Sequence, residues 1–272
     1  MSALRKCAQS IRHAPVLRSL TPVWGTLRGP YLRVMHGLGS RTGILISVGG
    51  IRMRLHPEFA TQNWETVEAA SYRAFAALLK PGDVVFDLGA HIGTYSLIAL
   101  SRIGATGRVI AYEPHEFTRR HLARHIEWSG AVDRILIRPV CCAAIEGTGA
   151  FYCVPNRAEG MNGLVPVEGF ERTLVDVTTI DREVSLLGVA PTVLKIDVEG
   201  SEWEVLKGAV TTLANHHPRI CLSLHRAALR RSGATPESVL TWLAGFGYAH
   251  RIVSDDHELH VIAEVHDASA SH

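Results

Sequence analysis

The stretch Val84-Val85-Phe86-Asp87-Leu88-Gly89-Ala90-His91-Ile92-Gly93 constrains the fold more than any other part of the chain. It is an apolar run that ends in an acid, turns through glycines and opens into the helical pattern of Thr94 to Ser101. A short apolar run bounded by glycine suits a buried strand, and the 3.6-residue spacing after it suits a helix, so the stretch reads as strand, tight loop, helix. Gly89 and Gly93 let the backbone bend sharply and come close to a ligand, while the helix start behind them offers unpaired N–H groups. The spacing is D-x-G-x-x-x-G, without the third glycine of the dinucleotide fingerprint, which disfavours NAD. Further on, Val109 to Pro114 forms a second short apolar strand ending in Glu113, an acid placed to accept hydrogen bonds from ribose hydroxyls. Alone, the first stretch would be an ordinary strand-to-helix turn. Paired with Glu113 it is a nucleoside site.

The rest of the chain fits an α/β organisation. Gly43 to Leu55 suggests a β-hairpin around Gly49-Gly50, and Glu65 to Leu79 an amphipathic helix stopped by Pro81-Gly82. Phe117 to Trp128 is helical and rich in Arg and His. Arg134 to Ala144 reads as a third strand continuing through Glu146 to Gly149 into a hairpin with Ala150 to Val154. A Gly/Asn/Pro-rich loop covers Asn156 to Gly169, followed by a strand over Thr173 to Ile180. Pro191 to Asp197 is a fourth core strand, Ser201 to Leu213 a helix, Arg219 to Leu224 a fifth strand and Glu237 to Gly245 a helix. Tyr248 to Val253 and His257 to Ala263 close the chain as an antiparallel pair. Strands alternating with helices predict a doubly wound, mostly parallel, Rossmann-like sheet covered on both faces, with ligands at the carboxyl ends of its strands.

A length of 272 residues suits one larger domain, and 47% apolar with 20% charged residues describes an ordinary globular protein. The net charge of +2 hides an asymmetry, because nine basic residues and no acid precede Glu58. We therefore divide the chain into a basic extension, residues 1–42, and a main domain, residues 43–272, whose lead-in hairpin and helix occupy 43–80. The extension reads as a solvated arm, with peripheral membrane contact or a targeting role as alternatives. Nucleic acid is not an expected partner, since no recognition helix or stacking motif accompanies the arm. Five cysteines without metal-ligand spacing point to free thiols, and no apolar run approaches membrane-spanning length, so a cytoplasmic location is expected.

A second constellation follows the fourth strand. In Leu194-Lys195-Ile196-Asp197-Val198-Glu199-Gly200-Ser201-Glu202, acids at 197 and 199 leave a core strand for a helix start. Glu202 reads as a first-turn acid that favours the helix dipole. Asp197 is placed to orient a substrate hydroxyl, take its proton or hold a metal, and Glu199 stands beside it. His225 ends the fifth strand facing the same crevice, a candidate base near neutral pH. Lys195 alternates with Asp197 and is either buried against a carboxylate or an ordinary strand lysine.

These motifs resemble the FkbM family of S-adenosylmethionine-dependent methyltransferases, of the class I fold. The resemblance is carried by Lys80-Pro81-Gly82-Asp83, Asp87 to Gly93, Tyr112-Glu113-Pro114, Val177 to Asp181 and Lys195-Ile196-Asp197-Val198-Glu199-Gly200-Ser201-Glu202 followed by Leu206-Lys207-Gly208. It implies a seven-stranded sheet with a reversed last strand and S-adenosylmethionine as cofactor. The implied reaction is O-methylation of a hydroxyl on a sugar, a glycolipid or a small secondary metabolite. By the same resemblance Asp87, Gly89, Ala90, His91 and Gly93 line the methionine and ribose side, Glu113 holds the ribose hydroxyls, and the third strand near Cys142 borders the adenine. The family commonly has Asn where this chain has His91. Asp197, Glu199 and His225 are the candidate catalytic residues, with Asp197 or His225 as the base. A divalent cation shared by Asp197 and Glu199 stays open, as nothing in the spacing requires a metal. The rival readings are a catalytically silent cofactor-binding module and an NAD-dependent oxidoreductase.

Overall fold

The structure, a computed structural model, describes residues 41–64, 66–256 and 258–265. The expected basic arm lies outside the described residues up to position 40. The described residues divide into two compact units, 41–44 with 55–62, and 45–54 with 63–265. Within the first, residues 57–61 form a 3-10 turn whose start is capped by the His56 ring. Strands β1 (Ile44–Val48) and β2 (Ile51–Leu55) make the hairpin read from the sequence, turning at Gly49 and Gly50, both at positive φ.

In the second unit, helix α1 (Ala69–Leu78) leads to β3 (Val84–Leu88), α2 (Thr94–Arg102), β4 (Arg108–Tyr112), α3 (Glu116–Ser129) and β5 (Ile135–Arg138). A side sheet follows, made of β6 (Cys141–Cys142), β7 (Gly147–Cys153) and β8 (Glu171–Thr178). The chain then runs through α4 (Ile180–Leu187), β9 (Val193–Ile196), α5 (Glu202–Lys207), α6 (Val210–His216), β10 (Arg219–Leu224), α7 (Arg226–Arg231), α8 (Pro236–Ala244), β11 (Tyr248–Asp255) and β12 (Leu259–Val265).

The main sheet has seven strands in the order β11-β12-β10-β9-β3-β4-β5. Strands β3, β4, β5, β9 and β10 pair in parallel, and β12 runs antiparallel to both β10 and β11, so the last strand is the reversed one, as expected. The chain builds outward from β3 through β4 to β5, then returns to the other side of β3 for β9 and β10. That reversal opens a crevice at the carboxyl ends of β3 and β9, where sheets of this kind bind ligands.

Alternation along each strand decides what each face meets. Phe86 and Leu88 of β3 and Leu194 and Ile196 of β9 join one hydrophobic core with Leu206, Leu213 and Val239 from the helices. Asp87 and Lys195 therefore point to the opposite face, where Tyr72 and Phe75 of α1 pack on Tyr95 of α2. The tightest point is Gly89, at φ +73, where a Cβ would stand 1.9 Å from the Asp197 carbonyl oxygen.

Three sequence expectations need correction. The third strand does not run from Arg134 to Ala144: it stops at Arg138, because Pro139 has no N–H to extend the ladder. Cys141 and Cys142 instead pair in parallel with β8. The hairpin expected between the third strand and Ala150 to Val154 is absent, since β8 inserts between β6 and β7 and pairs with both. The single helix expected from Ser201 to Leu213 is two, broken at Gly208 and Ala209. There the backbone passes so close to Ala143 that a Cβ on Gly208 would lie 2.1 Å from its carbonyl oxygen. Helices α4 and α7 were not read from the sequence. The four described cysteines are free and buried, and among the described residues no helix is long and apolar enough to cross a membrane.

Candidate functional site

The loop from Gly89 to Gly93 is fastened to the end of β4. Gly89 and Ala90 donate their N–H groups to the Tyr112 carbonyl, and His91 N–H donates to Glu113 Oε2 at 2.8 Å. Glu113 Oε1 accepts from His115 N–H at 2.9 Å. The carboxylate is thus fixed by backbone donors on both oxygens, yet burial dominates and pushes its pKa up to about 7, against the pull of those two N–H groups. Each oxygen keeps a lone pair for another donor.

Asp87 is fully buried and engaged with protein groups: Ser96 Oγ donates to Oδ2 at 2.6 Å and Lys195 Nζ lies 3.4 Å from Oδ1. Its carboxylate shapes the loop from within. Lys195 is the buried lysine of the two alternatives, donating to the Gly89 carbonyl at 3.0 Å and lying 4.7 Å from the centroid of the Tyr95 ring. Burial works against its charge, but Asp87 and then Asp197 outweigh it and raise its pKa. The His91 ring sits at φ 50 with its pKa lowered by burial to about 4, so it is neutral, and its Nε2 has no hydrogen-bond partner. Ala90 is buried beside it, and Gly93 at φ +90 starts α2.

Cys142, expected to border the adenine, is a core residue. In strand β6 its side chain turns into the main core with Tyr112 and Ile180. Neighbouring Cys141 faces the other way, its thiol pKa raised by burial and by the Glu113 charge.

The second constellation converges on His225. Its Nδ1 bonds Glu202 Oε1 at 2.8 Å, and its Nε2 lies 2.8 Å from Glu258 Oε2, 3.3 Å from Glu199 Oε2 and 3.9 Å from Asp197 Oδ1. Burial alone would lower the His225 pKa, but the hydrogen bonds to Glu202 and Glu258 win and lift it to about 12. Carboxylates at both ring nitrogens favour the protonated imidazole. Burial, then repulsion from Asp197, raises Glu199 to about 8. Glu258 also accepts from His260 Nε2 at 3.2 Å, and His260 Nδ1 bonds Ser223 Oγ at 2.9 Å across the β10–β12 pair. Glu68 completes the group, bonded by Tyr95 Oη at 3.2 Å and raised by burial and by Asp197.

The structure therefore brings Asp197, Glu199 and His225 together, beside the glycine loop through Lys195 and the Gly89 contact. Sequence reasoning missed Glu68, Tyr95, Glu258 and His260, and took Glu202 for a helix-end acid. Glu202 is fully buried, clamping His225 and the Gly200 N–H at 2.8 Å. Glu258 was hidden by topology: only because β12 is reversed does its start lie beside the carboxyl ends of β9 and β10. The one available signal was the alternation of Glu258 and His260. In the 154–169 loop, Asn162 Oδ1 accepts from Val154 N–H and Asn162 Nδ2 lies 3.2 Å from His115 Nδ1.

Residues 87–249 match the family described as the methyltransferase FkbM domain, more than half of the chain. The chain belongs to the FkbM methyltransferase family. Among curated relatives, this FkbM-family chain is 28% identical over 227 residues to the 31-O-demethyl-FK506 methyltransferase FkbM of Streptomyces tacrolimicus, covering 71% of this chain and 82% of that one. It is 26% identical over 177 residues to the hexuronic acid methyltransferase AglP of Haloferax volcanii, covering 64% and 71% of the two chains. A solved FkbM methyltransferase from Methylobacillus flagellatus aligns with a TM-score of 0.48 at 16% identity, over 89% of this chain and 60% of that one. The family match begins at Asp87 and takes in Glu113, Asp197 and His225, whereas Glu258 and His260 lie beyond its end.

Proposed function

We propose that this methyltransferase uses S-adenosylmethionine to methylate a hydroxyl on a sugar, a glycolipid or another small metabolite. The observation that carries the cofactor reading is Glu113. A buried carboxylate at a strand end, fixed by two backbone N–H groups and retaining a lone pair on each oxygen, suits the two hydroxyls of a ribose. The neutral His91 ring and the Gly89-to-Gly93 loop would line the same ligand. The acceptor reading draws support from the relatives, whose names give a hexuronic acid in one case and a 31-O-demethyl compound in the other.

Bound there, the cofactor supplies a methyl carbon already made electrophilic by its sulfonium. The protein's work is to align the acceptor oxygen and remove its proton. In this reading Asp197 is the proton acceptor, half-buried at the crevice and flanked by Lys195 at 3.8 Å. His225, without a free basic nitrogen, positions Asp197 and Glu199 as a cation. Lys195 fixes the floor by tying β9 to the Gly89 carbonyl.

Calorimetric titration with S-adenosylmethionine and S-adenosylhomocysteine tests the first step. Saturable binding by wild type, lost in Glu113→Ala, is the expected result. A folded wild-type protein that binds neither compound would overturn the cofactor reading.

A further inference from the structure

His225 is surrounded by more acid than its own charge can answer. Asp197 and Glu199 face it from the loop after β9, Glu202 from α5 and Glu258 from the start of β12, with Glu68 nearby from the turn before α1. The bases in the group are His225 itself, His260 on β12 and Lys195 on β9, and Lys195 is already committed to Asp87 and the Gly89 carbonyl. Among the described residues the carboxyl groups here outnumber the bases, and like charges held so close in a largely buried place are mutually unfavourable.

The geometry supplies a place for one. One oxygen each from Asp197 and Glu199 and the Nε2 of His225 all lie within 4.8 Å of one another. Donors held ~2.1 Å from a divalent ion stand about 3.0–3.4 Å apart, and the Nε2 to Glu199 distance already falls in that range. Glu258 Oε2, at 2.8 Å from the same nitrogen, borders this place.

A second observation concerns the far side of the His225 ring. The other imidazole nitrogen is held at 2.8 Å by Glu202, a carboxylate with no exposed surface whose remaining oxygen, Oε2, has no hydrogen-bond partner. A buried carboxylate behind a histidine fixes the ring's tautomer and aim, which is the outer-shell arrangement of metal-bound histidines.

We propose that Asp197, Glu199 and His225 form a binding site for one divalent cation of the manganese or magnesium class, the ion taking the place of the proton on His225 Nε2. Two carboxylates and one imidazole, with positions left for water or an acceptor hydroxyl, are an oxygen-rich donor set suited to such ions. The existence of the site does not depend on the methyl-transfer reading; its purpose does. In that reading an acceptor hydroxyl beside the ion would lose its proton more readily, the proton passing to the Asp197 oxygen that the ion leaves free.

The test is titration of the chelator-treated full chain with Mn²⁺, followed by calorimetry and by the electron paramagnetic resonance signal of free Mn²⁺. S-adenosylmethionine binding is measured on the same samples. One equivalent of Mn²⁺ should bind to wild type, at least about tenfold more weakly to Asp197→Asn and Glu199→Gln, and unchanged to the surface variant Glu116→Gln. Retained S-adenosylmethionine binding by Glu199→Gln would show that this variant is folded, so that its weakened Mn²⁺ binding supports the site. No saturable Mn²⁺ binding by wild type, or equal binding by wild type and Glu199→Gln, would overturn it. Site-dependent Mn²⁺ binding without any S-adenosylmethionine binding would support the cation site while sinking the cofactor reading.

Discussion

Glu113 shows how a single residue joins burial to ligand binding. In the free protein burial raises its pKa to about 7, so near neutrality it is divided between carboxyl and carboxylate. Two ribose hydroxyls would donate to the ionised form only, and their hydrogen bonds would draw the pKa back down. Binding therefore favours deprotonation, and affinity rises with pH through this range. S-adenosylmethionine should bind about tenfold more weakly at pH 6 than at pH 8, and the slope should vanish in any Glu113→Gln protein that still binds. Calorimetry in buffers of different ionisation enthalpy checks this, because proton release appears as a buffer-dependent heat. The opposite slope, tighter binding at pH 6, would remove Glu113 from the ligand contact. His225 shows the converse case: its identity and strand-end position suggest a base, and its neighbours make it a cation. The type of side chain is read from sequence, while its protonation state depends on what surrounds it.

At the scale of elements, β3 and β9 are joined through Lys195. This central-strand lysine reaches Asp87 on the neighbouring strand and the first turn of the glycine loop, and it has almost no exposed surface. Removing one member of such a pair leaves the other charge buried without compensation, a loss of about 3–5 kcal/mol. Lys195→Met should therefore lower the melting temperature by about 6–20 °C in a chain of this size. Adding Asp87→Asn should return part of that loss, because the uncompensated charge goes with it. Thermal unfolding of the two single variants and the double variant checks the coupling. Additive losses would show that the pair is not what joins the strands. The elements themselves were legible where local chemistry is decisive: the hairpin at Gly49-Gly50, β3, β4, β10 and the last antiparallel pair all follow from apolar runs between glycines, prolines and acids. They were misread where a distant contact intervened. Strand β8 takes both β6 and β7 as partners, and the approach of Ala143 forces the break at Gly208.

For the whole molecule, a ligand that binds only the folded state must stabilise it. Saturation with S-adenosylmethionine at about a hundred times its dissociation constant should add about 2.7 kcal/mol. In a chain of this length that corresponds to a rise of about 5–10 °C in melting temperature. Differential scanning fluorimetry with the cofactor and its demethylated product checks this, and Glu113→Ala should show no rise. An equal rise in Glu113→Ala would place the ligand elsewhere on the protein. The reach of the fold is visible here too: a site spread over β3, β4, β9, β10 and the start of β12 is assembled only when the whole sheet forms, so binding reports on global folding.

The sequence by itself determined the mostly parallel sheet, the glycine loop after β3, Glu113 at the end of β4 and the Asp197–Glu199 pair after β9. Each is written in a contiguous run of residues, where periodicity, glycine spacing and an acid at a strand end act over a few positions. Tertiary structure decided the rest. It turned Cys142 into the core and Cys141 toward Glu113, because Pro139 ended one strand and the next paired elsewhere. It buried Lys195 against Asp87, made His225 a cation, and brought Glu258 and His260 into the site from the far end of the chain. These outcomes depend on which strands become neighbours and in which direction they run. The electrostatics of a buried group are set by distances in space, which separation along the chain does not fix.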